Sequence, residues 1–245
     1  FTHSLSRLTL FFIPENVSEK SALSYLENTS LENASVALDQ VDLAIVEMGN
    51  LVKSSLKLTH RYLLEKQTDF LPNKFMEDTI DGHQVKIIDY LNDVLQTRLR
   101  KQDAERLSQA VNIVNSLEKM GDFTFRIAKI FNRMRTEKKY LPLEQKRTLS
   151  RMCLECESLA TAGNRLLHSR DGKDVSEVLN SFSAAHGNMR RVRQSYEKRY
   201  KTVLFDVVSG NYFLNALGIL DDFAKKYRNI AYIIEKRRGV ETDEY

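Results

Sequence analysis

The stretch Asn115-Ser-Leu-Glu118-Lys-Met-Gly121-Asp122-Phe-Thr-Phe-Arg-Ile127-Ala128 reads as a helix that carries chemistry on its buried side. Leu107, Val111, Val114, Glu118, Gly121, Phe125 and Ala128 follow an alternating four-and-three spacing, the apolar seam of a helix in a bundle. Glu118 falls on that seam and Asp122 lies beside it. Residues four apart share one helix face, so both carboxylates point the same way. One helix earlier, Leu95, Leu91 and Ile88 predict a stripe running back through Gln84 to Asp81 and Glu77, a second acid pair four apart. Two adjacent helices can therefore present four carboxylates to one spot.

Acids where a seam should continue are costly unless they pair or bind a cation. Oxygen donors suit hard cations, and helical bundles build carboxylate metal sites from facing helices. Glu77, Asp81, Glu118 and Asp122 are thus the candidate ligands of one metal ion (iron, zinc, manganese or magnesium). The plainer alternative has the same acids reaching solvent or pairing with Lys119, Lys74 or Arg126.

Working outward, the 245 residues include nine Gly and three Pro, too few for the turns of an all-β fold. Pro72, Pro142, Gly172 and Ser209-Gly210 separate six long periodic stretches, near 34–67, 73–100, 103–137, 143–170, 174–206 and 210–237. Short joins between long helices favour antiparallel neighbours. An offset of 103 residues places His83 on His186 and Ile127-Ala128 on Ile230-Ala231, and a nearly equal offset places Met48 on Met152. The expected fold is all-α, two tandem three-helix bundles of six antiparallel helices, with units at 34–140 and 141–245 after a juxtamembrane or linker segment at 1–33. At the 103 offset the four acids become Asn180, Ala184, Asp221 and Lys225, so the second unit lacks the quartet.

A hydrophobic content of 42% with 29% charged residues fits a helix-rich globular chain, and a net charge of +4 does not demand nucleic acid. The basic run Met189 to Lys201 suits an anionic lipid surface or a solvated helix face. Cys153-Leu-Glu-Cys156 has no second pair to complete a zinc site and reads as helix packing. The five histidines form no spaced pair, and neither a phosphate loop nor a nucleophile motif is present, so no enzymatic activity, catalytic residue or organic cofactor is expected. The chain opens on Phe1. Leu8-Thr-Leu-Phe-Phe-Ile13 reads either as a packed helix end or as the tail of a membrane segment. Asn16, Asn28 and Asn33 begin glycosylation sequons that carry little weight in a polar linker.

The Leu-Glu-Lys-Met-Gly-Asp…Ile-Ala stretch resembles the helix signature of PhoU-type phosphate regulators, and Glu77-Asp-Thr-Ile-Asp81 is similar to the matching motif one helix earlier. The resemblance implies two three-helix units and metal binding through these acids. Ala37-Leu-Asp-Gln-Val and Val46-Glu-Met-Gly49 with Leu51-Val52 look most like the PhoU-like tail of sodium/phosphate cotransporter-type membrane proteins. That resemblance implies a regulatory domain at the cytoplasmic face of the inner (plasma) membrane. Its expected partners are the transporter portion of the same polypeptide, an anionic lipid surface and a second copy of the chain, with no nucleic acid. A free-standing PhoU-like adaptor acting on a transporter or sensor kinase is the alternative. A carboxylate-bridged metalloenzyme is a third reading, which the absence of histidine ligands disfavours.

Overall fold

The computed structural model describes Leu23, Leu26 and residues 33–65, 69–200 and 207–242, and six long helices run through these described residues. They are α1 (Ala34–Leu64), α2 (Leu71–Leu95), α3 (Lys101–Thr136), α4 (Leu143–Ser169), α5 (Gly172–Tyr200) and α6 (Val207–Thr242). No strand occurs among the described residues. The apolar stretch before Pro14 and the sequons at Asn16 and Asn28 lie outside them.

Local chemistry sets the helix ends. The Asn33 side chain accepts from the Ser35 and Val36 N–H groups at 3.1 and 3.4 Å, so the third sequon is an N-cap. Pro72 sits in the first turn of α2 and Pro142 is the N-cap residue of α4, positions where a missing N–H costs no helical hydrogen bond. Ser209-Gly210, expected as a break, instead lies in the first turn of α6. Gly210 is needed there because a Cβ would come within 2.4 Å of the Tyr196 hydroxyl oxygen.

α1, α3, α6 and α4 pack in a ring, each against the next, while α2 covers α1 and α3 and α5 covers α4 and α6. Helices equivalent under the repeat offset, α1 with α4 and α3 with α6, therefore meet each other. The repeat-related Met48 and Met152, Ile127 and Ile230, and Ala128 and Ala231 are all buried. One apolar core runs through both halves.

The α1–α4 seam is antiparallel and fixed by polar pairs along its length. Arg170 at the end of α4 pairs with Asp42, which also accepts from Arg106 of α3. Asn164 donates to Asn50 at 3.0 Å and accepts from the Tyr227 hydroxyl at 3.2 Å. His60 bridges Glu157 at 2.6 Å and Ser150 at 2.8 Å. Gly49 permits the approach, since a Cβ there would lie 2.8 Å from Leu167, and Gly163 makes room for α6, since a Cβ there would lie 2.1 Å from the Tyr227 ring. Arg170 closes α4 at φ 53°, a left-handed cap that usually falls to glycine.

These contacts set opposite outcomes for two glycine substitutions. Gly163→Ala drives a methyl into the buried Tyr227 ring and should destabilise by about 1–3 kcal/mol. Gly82→Ala meets nothing within 4 Å on an exposed helix face and should stabilise by about 1 kcal/mol through helix propensity. Urea unfolding of both variants checks the pair; equal shifts would contradict the packing described.

Candidate metal centre in the first unit

Gly121 brings the acids together. Its missing Cβ leaves room for Ile80 of α2, whose Cγ2 would lie 2.9 Å from a β-carbon there. Ile80 and Gly121 are immediately followed by Asp81 and Asp122, so this contact of α2 with α3 juxtaposes those two side chains. A buried polar ladder holds α3 to α1 just behind this point. Thr124 spends its hydroxyl proton on the Gly121 carbonyl at 2.7 Å, so Ser55 donates to Thr124 Oγ1 at 2.6 Å. Thr59 donates to the Thr124 carbonyl, and Asn73 donates to Thr59.

Three of the four expected acids converge. Asp81, Glu118 and Asp122 each place a carboxylate oxygen within 4.8 Å of the others. Glu77 stands outside that group, one turn earlier on α2, yet its charge still couples to Asp81 and Asp122. The expected α2 stripe is offset from the real one. Leu95 is 53% exposed, and the buried face is Asn73, Met76, Ile80, His83, Ile87, Tyr90, Leu91 and Val94. Glu77 and Asp81 flank this face, which leaves them half-buried at its edge. His83 belongs to the core face, its Nδ1–H donating to the Thr79 carbonyl at 2.9 Å.

The electrostatics favour a cation. Burial first, then the charges of Asp122 and Asp78, hold the Asp81 carboxyl above the ordinary carboxylate range. Glu77 is raised as well, by burial and then by Asp81 and Asp78. Asp81 Oδ1 is buried with no hydrogen-bond partner among the described residues. Lys119, half exposed, reaches Glu118 at 3.0 Å and Asp122 at 3.2 Å but does not cover Asp81. Lys74 pairs with Asp78 and not with Glu77. A hard cation fits this donor set: three carboxylates on two rigid helices, one of them with a bare buried oxygen. An all-oxygen set suits magnesium, manganese or iron better than zinc, which favours nitrogen and sulfur.

The second unit supplies its own cation at the equivalent place. Lys225 Nζ lies 2.8 Å from Asp221 and 2.9 Å from Asp222, and His186 Nδ1 lies 2.5 Å from Asp221. Burial alone would raise the Asp221 carboxyl, but hydrogen bonds from Lys225 and His186 reverse that and hold it below the ordinary range. One repeat leaves its carboxylates short of positive charge, and the other neutralises them with its own side chains.

Two groupings escaped the sequence reading or needed the fold to settle them. Ser150, His60 and Glu157 have the hydrogen-bond order of a serine–histidine–acid relay, assembled from α1 and α4. Ser150 lies within α4, where backbone N–H groups are spent on the helix and none is left to stabilise an oxyanion. The trio acts as a clamp on the seam. Cys153 and Cys156 are buried in α4, the Cys153 thiol pushed up to about 12 by burial, so neither is a ready metal ligand or nucleophile.

Asp81→Asn removes a charge from the cluster and keeps its size. A raised carboxyl loses stability for the native state as pH climbs from the ordinary carboxylate range through the raised value. Without divalent cations, the variant should therefore melt higher than the parent at neutral pH, with the gap closing as pH falls toward that range. Thermal unfolding across this pH interval checks it, and a lower melting point at neutral pH would contradict it.

Residues 45–131, which include all four acids, match the PhoU domain. Among curated proteins the sequence finds no match. The fold is similar to that of PhoU from Pseudomonas aeruginosa, with TM-score 0.77 and 15% identity over 84% of this chain and 100% of that one. It is also similar to the phosphate transport system regulatory protein PhoU from Streptococcus pneumoniae, with TM-score 0.72 and 17% identity over 84% of this chain and 97% of that one. The first unit thus carries the match to the PhoU domain, and the six-helix chain as a whole has the fold of PhoU proteins.

Proposed function

We propose that this chain is a non-enzymatic regulator of phosphate transport whose first unit, 34–140, holds a metal ion between α2 and α3. The observation that carries the reading is the coincidence of two independent findings. The PhoU match at 45–131 contains Glu77, Asp81, Glu118 and Asp122, and three of those carboxylates converge with one oxygen bare. Asp81, Glu118 and Asp122 are the ligands, and Glu77 adds negative charge. An ion here would relieve the repulsion between α2 and α3. It regulates only by binding two packings of these helices with different affinity. The second unit, 141–245, holds the seam and carries no such ion.

Regulation in trans, as an adaptor acting on a transporter or sensor kinase, is the reading the comparisons favour. This chain spans 97–100% of the similar PhoU chains, so the six-helix body accounts for nearly all of each. Regulation in cis, as the cytoplasmic-face domain of a sodium-dependent phosphate cotransporter-like protein, rests on the Ala37–Val52 resemblance and the apolar Leu8–Ile13 stretch. Among the described residues no helix is long and apolar enough to cross a membrane.

Two measurements test these readings. Manganese should raise the melting temperature of the chelator-treated protein, and Glu118→Ala with Asp122→Ala should abolish that rise and alter phosphate uptake in cells. A variant that keeps both metal content and uptake would end the metal reading. Fractionation of the native gene product separates the two deployments. A band near 28.4 kDa outside the membrane fraction supports action in trans. A membrane band well above that mass supports action in cis.

A further inference from the structure

One end of the bundle gathers exposed apolar side chains that the acidic site does not explain. The helices alternate in direction, so α1 and α3 end where α2, α4 and α6 begin. Contacts tie these termini together. Lys146 of α4 donates to the carbonyl of Leu64, the last residue of α1, at 2.8 Å, and Tyr62 of α1 meets the ring of Phe70, just ahead of α2. Ser209 of α6 donates to the Tyr140 carbonyl at 3.3 Å, and the Tyr212 hydroxyl donates to Glu137 at 2.7 Å. At this end Tyr140 is 75% exposed, Leu71 66% and Leu143 62%, more than any other large apolar side chain among the described residues.

Cations flank them. Lys138, Lys139 and Arg147 are exposed and make no ion pair among the described residues. Arg151 continues the row, lining one groove with Leu143 and Arg147. Of the acids at this end, Arg61 meets Glu65 and Arg133 meets Glu137, which leaves Asp69 and Glu144 outnumbered. The turn after α3 carries its two lysines against the usual preference. The Lys138 N–H donates to the Arg135 carbonyl at 3.0 Å and the Lys139 N–H to the Met134 carbonyl at 2.8 Å, a pattern that commonly closes a helix with a glycine followed by an apolar residue. Lys138 takes the glycine's left-handed place at φ 53°, and Lys139 takes the place of the apolar residue. Arg147 follows the first turn of α4, near the end of the helix dipole that does not favour a cation. The opposite end of the bundle, where α1 begins, exposes Leu95 and Val36 among charges of both signs, Asp93, Arg98, Lys101 and Asp171.

We propose that the end carrying Tyr140 docks on an anionic lipid surface. Tyr140, Leu143 and Leu71 enter the headgroup layer, where a tyrosine and short apolar tips are favoured. Lys138, Lys139 and Arg147 meet the lipid phosphates, which complement their charge. A nucleic acid would engage the cations and leave the leucines in water, because its backbone offers no apolar surface. A bilayer uses both sets at once and needs no matching shape. The contact uses no residue of the acidic site and stands whether or not that site holds a cation.

The test uses the full chain treated with chelator, so that a bound metal cannot affect the result. The chain has no tryptophan, so Tyr140→Trp and, at the opposite end, Leu95→Trp are single reporters. Vesicles of phosphatidylcholine with added phosphatidylglycerol should shift the emission of Tyr140→Trp to the blue and leave that of Leu95→Trp unchanged. Vesicles of phosphatidylcholine alone should shift neither, and added salt should reverse the shift. Lys138→Gln with Lys139→Gln, both at exposed positions, should weaken co-sedimentation with the anionic vesicles at least about tenfold. Arg98→Gln with Lys101→Gln removes the same charge from the other end and should leave co-sedimentation nearly intact. Equal losses in the two double variants, or a blue shift at both reporters, would overturn the proposal, since either means attraction without orientation. Co-sedimentation with no shift of Tyr140→Trp would overturn the insertion of the apolar tips. No response to either kind of vesicle would also overturn it and leave this end to a protein partner.

Discussion

The antiparallel contact of α1 with α4 is the constraint from which the other arrangements follow. Two three-helix units of this size could meet through many apolar faces of similar shape. Polar pairs at three levels, Asp42 with Arg170, Asn50 with Asn164, and His60 with Glu157 and Ser150, are matched in one register only. Sliding the seam by a turn would leave the buried His60 and Asn164 unpaired, at about 1–3 kcal/mol for each. Gly49 lets α1 and α4 approach and Gly163 admits the Tyr227 ring of α6, so that Asn164 reaches both Asn50 and Tyr227. Once α1 and α4 are fixed, α3 and α6 close the ring, and α2 and α5 are carried to its outer sides.

On that frame the two repeats solve the same electrostatic problem in opposite ways. Carboxylates at the edge of a core repel one another, and something positive must lie near them. In the second unit Lys225 and His186 supply it, and Asp221 stays ionised below its ordinary range. In the first unit Lys119 reaches two acids from a half-exposed position and leaves Asp81 raised and partly bare. The difference is what separates a helix pair that is complete from one that can respond to an ion. The cost of the deficit is borne locally, beside the Gly121–Ile80 contact.

Much of this was legible in the residues. The four-and-three spacing from Leu107 to Ala128 foretold the buried side of α3, and the prolines marked where α2 and α4 start. The loss of ligands in the second unit was visible as Lys225 in place of an acid. The face of α2 was misjudged because Leu91 and Leu95 suggested a stripe that the helix, at 3.6 residues per turn, carries out to solvent. Met76, Ile80, Ile87 and Val94 define the true face, and the intervening His83 disguised it. Nothing in the sequence pointed to the Ser150–His60–Glu157 clamp, because it is assembled from helices distant in sequence, with no local spacing to betray it.

By itself the sequence determined six helices, their approximate ends and the pairing of acids four apart, because these depend on the 3.6-residue period and on capping chemistry within a few residues. The tertiary structure alone decided which acids meet. Glu77 and Asp81 look equivalent along α2, yet only Asp81 joins Glu118 and Asp122. The reason is that Ile80 of α2 fills the space left by the missing side chain of Gly121 on α3, and Asp81 and Asp122 directly follow these two residues.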